Sequence, residues 1–169
     1  MKYLSLFLIL LTPLSAGPAK WKKDIAKFEA TDKKSPPPKG AYLFIGSSSA
    51  RMWDLKKSFP EHTTINRGFG GSELEDSLFY ADRILIPCQP KVVFLYAGDN
   101  DISNGKTAEI VTADFQKFVA KVHKALPKTD IVFVPIKPSL KRWNLWPKMN
   151  KANQAIKKIT EANPKLHYL

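Results

Sequence analysis

A serine run, a glycine-rich turn and an Asp-Asn-Asp stretch carry the residue types that acyl transfer needs. They are Gly46-Ser47-Ser48-Ser49, Asn66-Arg67-Gly68-Phe69-Gly70-Gly71 and Gly98-Asp99-Asn100-Asp101. A serine at a strand-to-helix turn is exposed, and the helix N-terminus favours negative charge developing beside it. Glycines let backbone N–H groups approach a substrate oxygen closely. An Asn side chain can donate to the same oxygen, and one such donor is worth about 3 kcal/mol in a transition state. Singly, each segment has a plainer reading. Serine runs cap helices, and Gly-rich or Asp-Asn stretches make turns. A Gly-Ser loop opening a helix can also cradle a cofactor phosphate in a flavodoxin-like protein.

Position makes the combination specific. Each segment follows an apolar run with strand character, at 41–45, 63–66 and 91–97. Further strands are predicted over 130–136 and 166–169. Helices are predicted over 49–59, 72–86 (with Ser72 and Glu75 as a capping box), 107–126 and 145–162. In the 107–126 span, Val111, Phe115, Phe118, Val122 and Leu126 make one apolar face. Strands alternating with helices imply right-handed crossovers and a parallel sheet covered on both sides. The expected fold is α/β: a three-layer α/β/α sandwich on a flavodoxin-like parallel sheet. Ligands then bind outside the carboxyl ends of the strands, where the three segments would meet.

The remaining organisation frames that domain. At 169 residues the chain suits one domain. Residues 1–16 have the layout of a secretory signal peptide: Lys2, an apolar run over 3–11, then Leu14-Ser15-Ala16. The run is too short to span a bilayer, so an exported protein, periplasmic or extracellular, without a transmembrane anchor after cleavage, is expected. Residues 17–38 read as an amphipathic helix with Trp21, Ile25 and Phe28 on one side, followed by a stiff Pro36-Pro37-Pro38 linker. The domain itself is expected over 39–169. Net charge is formally +12, but the lysines are dispersed as solvated helix faces. They lack the concentrated stripe with aromatics that nucleic-acid binding needs. Cys88 stands alone and reads as a small buried hydrophobe. No ligand cluster has metal spacing, and no cofactor is expected.

From residue 41 onward the chain resembles the SGNH (GDSL-like) hydrolases, in particular the branch similar to platelet-activating-factor acetylhydrolase. The resemblance rests on Phe44-Ile45-Gly46-Ser47-Ser48-Ser49, Asn66 through Ser72, Tyr96-Ala97-Gly98-Asp99-Asn100-Asp101 and Ile136-Lys137-Pro138-Ser139 through Arg142-Trp143. It implies that Ser48, at the third position of the first block, is the nucleophile. Its own N–H, the Gly71 backbone and the Asn100 side chain would form the oxyanion hole. Ser47, Gly70, Asp99, Arg142 and Trp143 are the implied substrate-binding residues. The implied activity is hydrolysis of a small carboxylic ester, a lysophospholipid or an acetylated carbohydrate.

The resemblance also implies a late His three residues after an Asp, and no Asp here has one. His62, His123 and His167 fall in a loop, on a helix and in the last strand. The expected reading is a C-terminally truncated chain, its last strand and helix incomplete, with little or no turnover. The alternative is a non-catalytic remnant or ligand-binding module of the same fold.

Overall fold

A computed structural model describes residues 18–169. The leader expected at 1–16 lies outside the described residues. Strands β1 (Tyr42–Gly46), β2 (Thr64–Gly68), β3 (Val92–Tyr96), β4 (Asp130–Phe133) and β5 (Leu166–Tyr168) form one sheet in the order β2-β1-β3-β4-β5. Every pairing is parallel. This is the flavodoxin-like order expected from the sequence.

The two faces of the sheet follow from strand alternation. Leu43, Ile45, Val93, Leu95, Ile131 and Phe133 point to one face and join the main core. That face is covered by helices α4 (Leu74–Ile84), α6 (Ala108–Ala125) and α7 (Trp146–Glu161), which pack α4 on α6 and α6 on α7. On the opposite face Phe44 stacks on Phe94 at 4.5 Å and meets Trp53 and Phe59. These aromatic residues come from and around the short helices α2 (Ser48–Arg51) and α3 (Leu55–Ser58).

Three local expectations are corrected. The single helix predicted over 49–59 is two, because Asp54 caps a new helix by accepting from the Lys57 N–H at 3.1 Å. The cap of α4 is Glu73, in a reciprocal box with Asp76, rather than Ser72 with Glu75. The Ser72 hydroxyl instead donates to the Phe69 and Gly46 carbonyls. His123, predicted on a solvated face, is half-buried with Nε2 3.1 Å from the Thr129 carbonyl.

Helix α1 (Lys22–Lys34) is part of the packed body. Trp21, just ahead of it, and Ile25 belong to the main core, and α1 lies against α4. Asp32 near its end binds Arg67 of β2 through both carboxylate oxygens, at 2.6 and 2.7 Å. Cys88 is buried, donates to the Ile84 carbonyl at 3.3 Å, and burial raises its thiol pKa.

Candidate active site

The exits of β1, β2 and β3 are level. Gly46 is in register with Gly68 on one side and Tyr96 on the other. All three polar segments therefore leave the sheet at one edge, and hydrogen bonds join them there. The Gly46 carbonyl accepts from the Phe69 N–H (2.9 Å) and from the Ser72 hydroxyl (3.2 Å). The Ser47 N–H donates to the Tyr96 carbonyl (3.0 Å). Asn100 Nδ2 donates to the Ser72 carbonyl (2.9 Å), closing the loop between the second and third segments.

The three serines differ in surroundings. Ser47 is fully buried, with its hydroxyl 3.4 Å from Asp99 Oδ1. Ser48 opens α2 and is half-buried, with no side-chain hydrogen bond among the described residues. Ser49 lies toward the buried Tyr96 hydroxyl, which has no well-formed hydrogen-bond partner among the described residues. Burial, and next the Asp99 charge, raise the Tyr96 pKa.

The glycine loop is open. Gly71 is exposed and left-handed, with φ of +77°, a backbone that L side chains rarely adopt. A Cβ at Gly70 would come within 2.9 Å of the Arg51 guanidinium. Asn100 lies in the first turn of helix α5 (Asp99–Ser103) and is buried, 8% exposed. Arg142 reaches in from the segment after β4: Nη1 meets Asp99 Oδ2 at 3.0 Å and Nη2 meets Asn100 Oδ1 at 2.9 Å. Trp143 beside it points away into solvent, 61% exposed.

The histidines are elsewhere. His62 precedes β2 and packs on Tyr42, the first residue of β1, at 4.9 Å. His123 ends α6 next to Thr129, just ahead of β4. His167 Nε2 lies 3.5 Å from Asp130, the first residue of β4. All three stand where strands begin, while Ser48 stands where they end. Among the described residues no group of three or more His, Cys, Asp or Glu could hold a metal ion. No described helix is long and apolar enough to cross a membrane.

Sequence reasoning assigned no role to Asp101, yet it anchors the edge. It is completely buried and accepts the Leu74 N–H at the start of α4 (3.1 and 3.2 Å). Lys106 lies 3.5 Å away and also pairs with Glu73, Glu75 and Asp114. Burial pushes the Asp101 carboxyl up to about 6, against the pull of Lys106. Burial works against the Lys106 charge too, but Asp101 and the glutamates outweigh it and raise its pKa.

Folded Asp101 therefore takes up a proton that the unfolded chain takes up only near about 3.9. Through this group the fold gains stability as pH falls from 7 toward 4, by at most about 1.4 kcal/mol per pH unit. Asp101→Asn keeps an acceptor for Leu74 and removes the titration. Denaturant melts should show wild type gaining on that variant as the solution is acidified. A gap that stays constant with pH would contradict this account.

The profile of the GDSL-like Lipase/Acylhydrolase family matches residues 46–169. The chain belongs to that family. A search of curated proteins gave no match. Solved structures share the fold of this GDSL-like chain at low identity. A provisionally described platelet activating factor from Streptococcus pneumonia superposes with a TM-score of 0.76 at 22% identity, covering 87% of this chain and 72% of the other. A GDSL-like lipase from Bacteroides thetaiotaomicron gives 0.67 at 19%, covering 90% and 76%. An acetylxylan esterase from Geobacillus stearothermophilus gives 0.61 at 14%, covering 78% and 76%.

Proposed function

We propose that this GDSL-like acylhydrolase attacks ester carbonyls with Ser48. The Ser48 and Gly71 backbone N–H groups and Asn100 Nδ2 would receive the charge that builds on the carbonyl oxygen. The observation that carries this reading is the knot at the sheet edge. The Gly46 carbonyl holds the glycine loop, and the Ser72 carbonyl holds the Asn100 amide. Ser47 is buried and faces Asp99, and Ser49 lies toward the Tyr96 hydroxyl, whereas Ser48 opens α2 half-buried with an unengaged hydroxyl, which supports it as the nucleophile. The substrate class is a small carboxylic ester, with lysophospholipids and acetylated carbohydrates as the members to test. Residues 1–16 would direct export.

A serine without a base is a weak nucleophile, and no histidine stands at this edge. These 169 residues alone are therefore proposed to turn over slowly. An oxyanion hole and binding, without an intact triad, sustain on the order of 10³-fold over water. The same histidine placement favours a second reading, a non-catalytic binding module with this fold.

A fluorophosphonate probe with peptide mass spectrometry decides between them. The hydrolase reading expects a slow adduct at Ser48, absent in Ser48→Ala and unchanged when His62, His123 and His167 are all replaced by Gln. An adduct on Ser47 or Ser49 would overturn the assignment of Ser48. Labelling that disappears with the histidines would overturn the base-free account. No adduct at all would leave the binding module.

A further inference from the structure

We infer that Arg142 is a positioning residue that holds the Asn100 carboxamide in its donating orientation, rather than a contact for substrate. The inference deepens the proposed hydrolase reading, in which Asn100 is a donor. The two ends of a carboxamide have nearly the same shape, so neighbours decide which end faces where. Here two neighbours agree. The Ser72 carbonyl, an acceptor, requires nitrogen on its side, and Arg142 Nη2, a donor, requires oxygen on the other. With one Nδ2 hydrogen on Ser72, the second is left for a substrate oxygen.

Accepting from a cation also polarises the amide and strengthens its N–H as a donor. The guanidinium is tethered in turn. Its Nη1 is held by Asp99 Oδ2 at 3.0 Å, and Asp99 Oδ1 faces the Ser47 hydroxyl at 3.4 Å. Asp99 thereby offsets the charge of Arg142 and fixes the fork. A planar guanidinium meets two acceptors at fixed spacing, which a lysine ammonium does not do. The chain Ser47–Asp99–Arg142–Asn100–Ser72 thus joins the exits of β1, β2 and β3 to the segment after β4. With both guanidinium arms engaged, Arg142 acts on the reaction through Asn100.

Side-chain amide spectra of the full chain, ¹⁵N-labelled at Asn, test this directly. Asn153 is the internal control. It is buried, exchanges hydrogen bonds with both backbone groups of Ile136, and reports folding alone. In Arg142→Ala the Asn100 NH2 pair should move toward free-amide positions and exchange with water about ten- to a hundredfold faster, while Asn153 stays put. Arg142→Lys should behave like the alanine variant, and free guanidinium should restore the alanine variant. Fluorophosphonate labelling at Ser48 should slow by a similar factor.

If Asn153 moves as well, the milder Arg142→Met, which keeps an unbranched stem and removes the charge and the donors, supplies the same readout in a folded chain. An Asn100 pair unchanged in Arg142→Met or Arg142→Ala, with Asn153 intact, would overturn the inference. If the amide responds as described but wild type never labels, the clamp stands and the hydrolase reading falls.

Discussion

Gly46→Ala is expected to leave little folded protein. Gly46 ends β1 with φ of +133°, and a Cβ there would lie 1.8 Å from the Tyr96 carbonyl oxygen. That oxygen belongs to the neighbouring strand and accepts the Ser47 N–H. Backbone of this kind costs a non-glycine residue about 1–3 kcal/mol before any clash. Relieving the clash means parting β1 from β3 at the sheet edge. The sum passes about 4 kcal/mol, the range of severe core damage, against a total stability of about 5–15 kcal/mol for a domain. Gly40→Ala is the control, since Gly40 also has positive φ (+74°) but nothing within 4 Å of its Cβ position. It should cost about 1 kcal/mol, the strain alone. Soluble yield and thermal melts separate the two variants. A Gly46→Ala protein melting within about 3 °C of wild type, a shift worth about 1 kcal/mol, would contradict the close approach.

Asp32→Ala should cost about 3–5 kcal/mol, because it leaves a buried cation without its counter-ion. The Arg67 side chain is 6% exposed. Its Nε is spent on the Ile84 carbonyl at 3.0 Å, and its guanidinium lies 5.1 Å from the Phe28 ring centre. Among the described residues, the Asp32 carboxylate alone balances its charge. A double variant, Asp32→Leu with Arg67→Met, should recover most of the loss, since a well-packed apolar pair replaces a buried ion pair at little net cost. Denaturant midpoints of the two single variants and the double variant form the cycle that checks this. If Asp32→Ala alone is neutral, Arg67 is not dependent on α1.

Much of the fold was legible because buried parallel strands read as apolar runs. The runs at 41–45 and 91–97 became β1 and β3 almost unchanged, and the stripe from Val111 to Val122 became the buried side of α6. The meeting of the three polar segments was also legible, since alternation implies a parallel sheet whose strands end on one side, while strand order and register came with the structure. The local errors had a common cause. Ser72 and Asp54 are both good capping residues, and sequence does not say which polar group a loop has already claimed. Ser72 was drawn to the Gly46 and Phe69 carbonyls, and Asp54 broke a helix that apolar spacing alone would continue. The Arg67–Asp32 pair, 35 residues apart, and the cluster around Lys106 left no periodic trace. The histidines were placed in the right elements, but their shared location at the strand starts emerged only with the topology.

The embedding of α1 bears on how this unit is to be handled. The family match begins at residue 46, the last residue of β1. A gene fragment cut there would discard β1 almost entirely, together with the helix that contributes Ile25 to the core and neutralises Arg67. Similarity boundaries follow the chemistry that relatives share, whereas the indivisible folding unit follows interred charge and apolar contact. For recombinant work, the protective margin ahead of the matched block belongs to the cargo, and affinity handles belong upstream of Trp21.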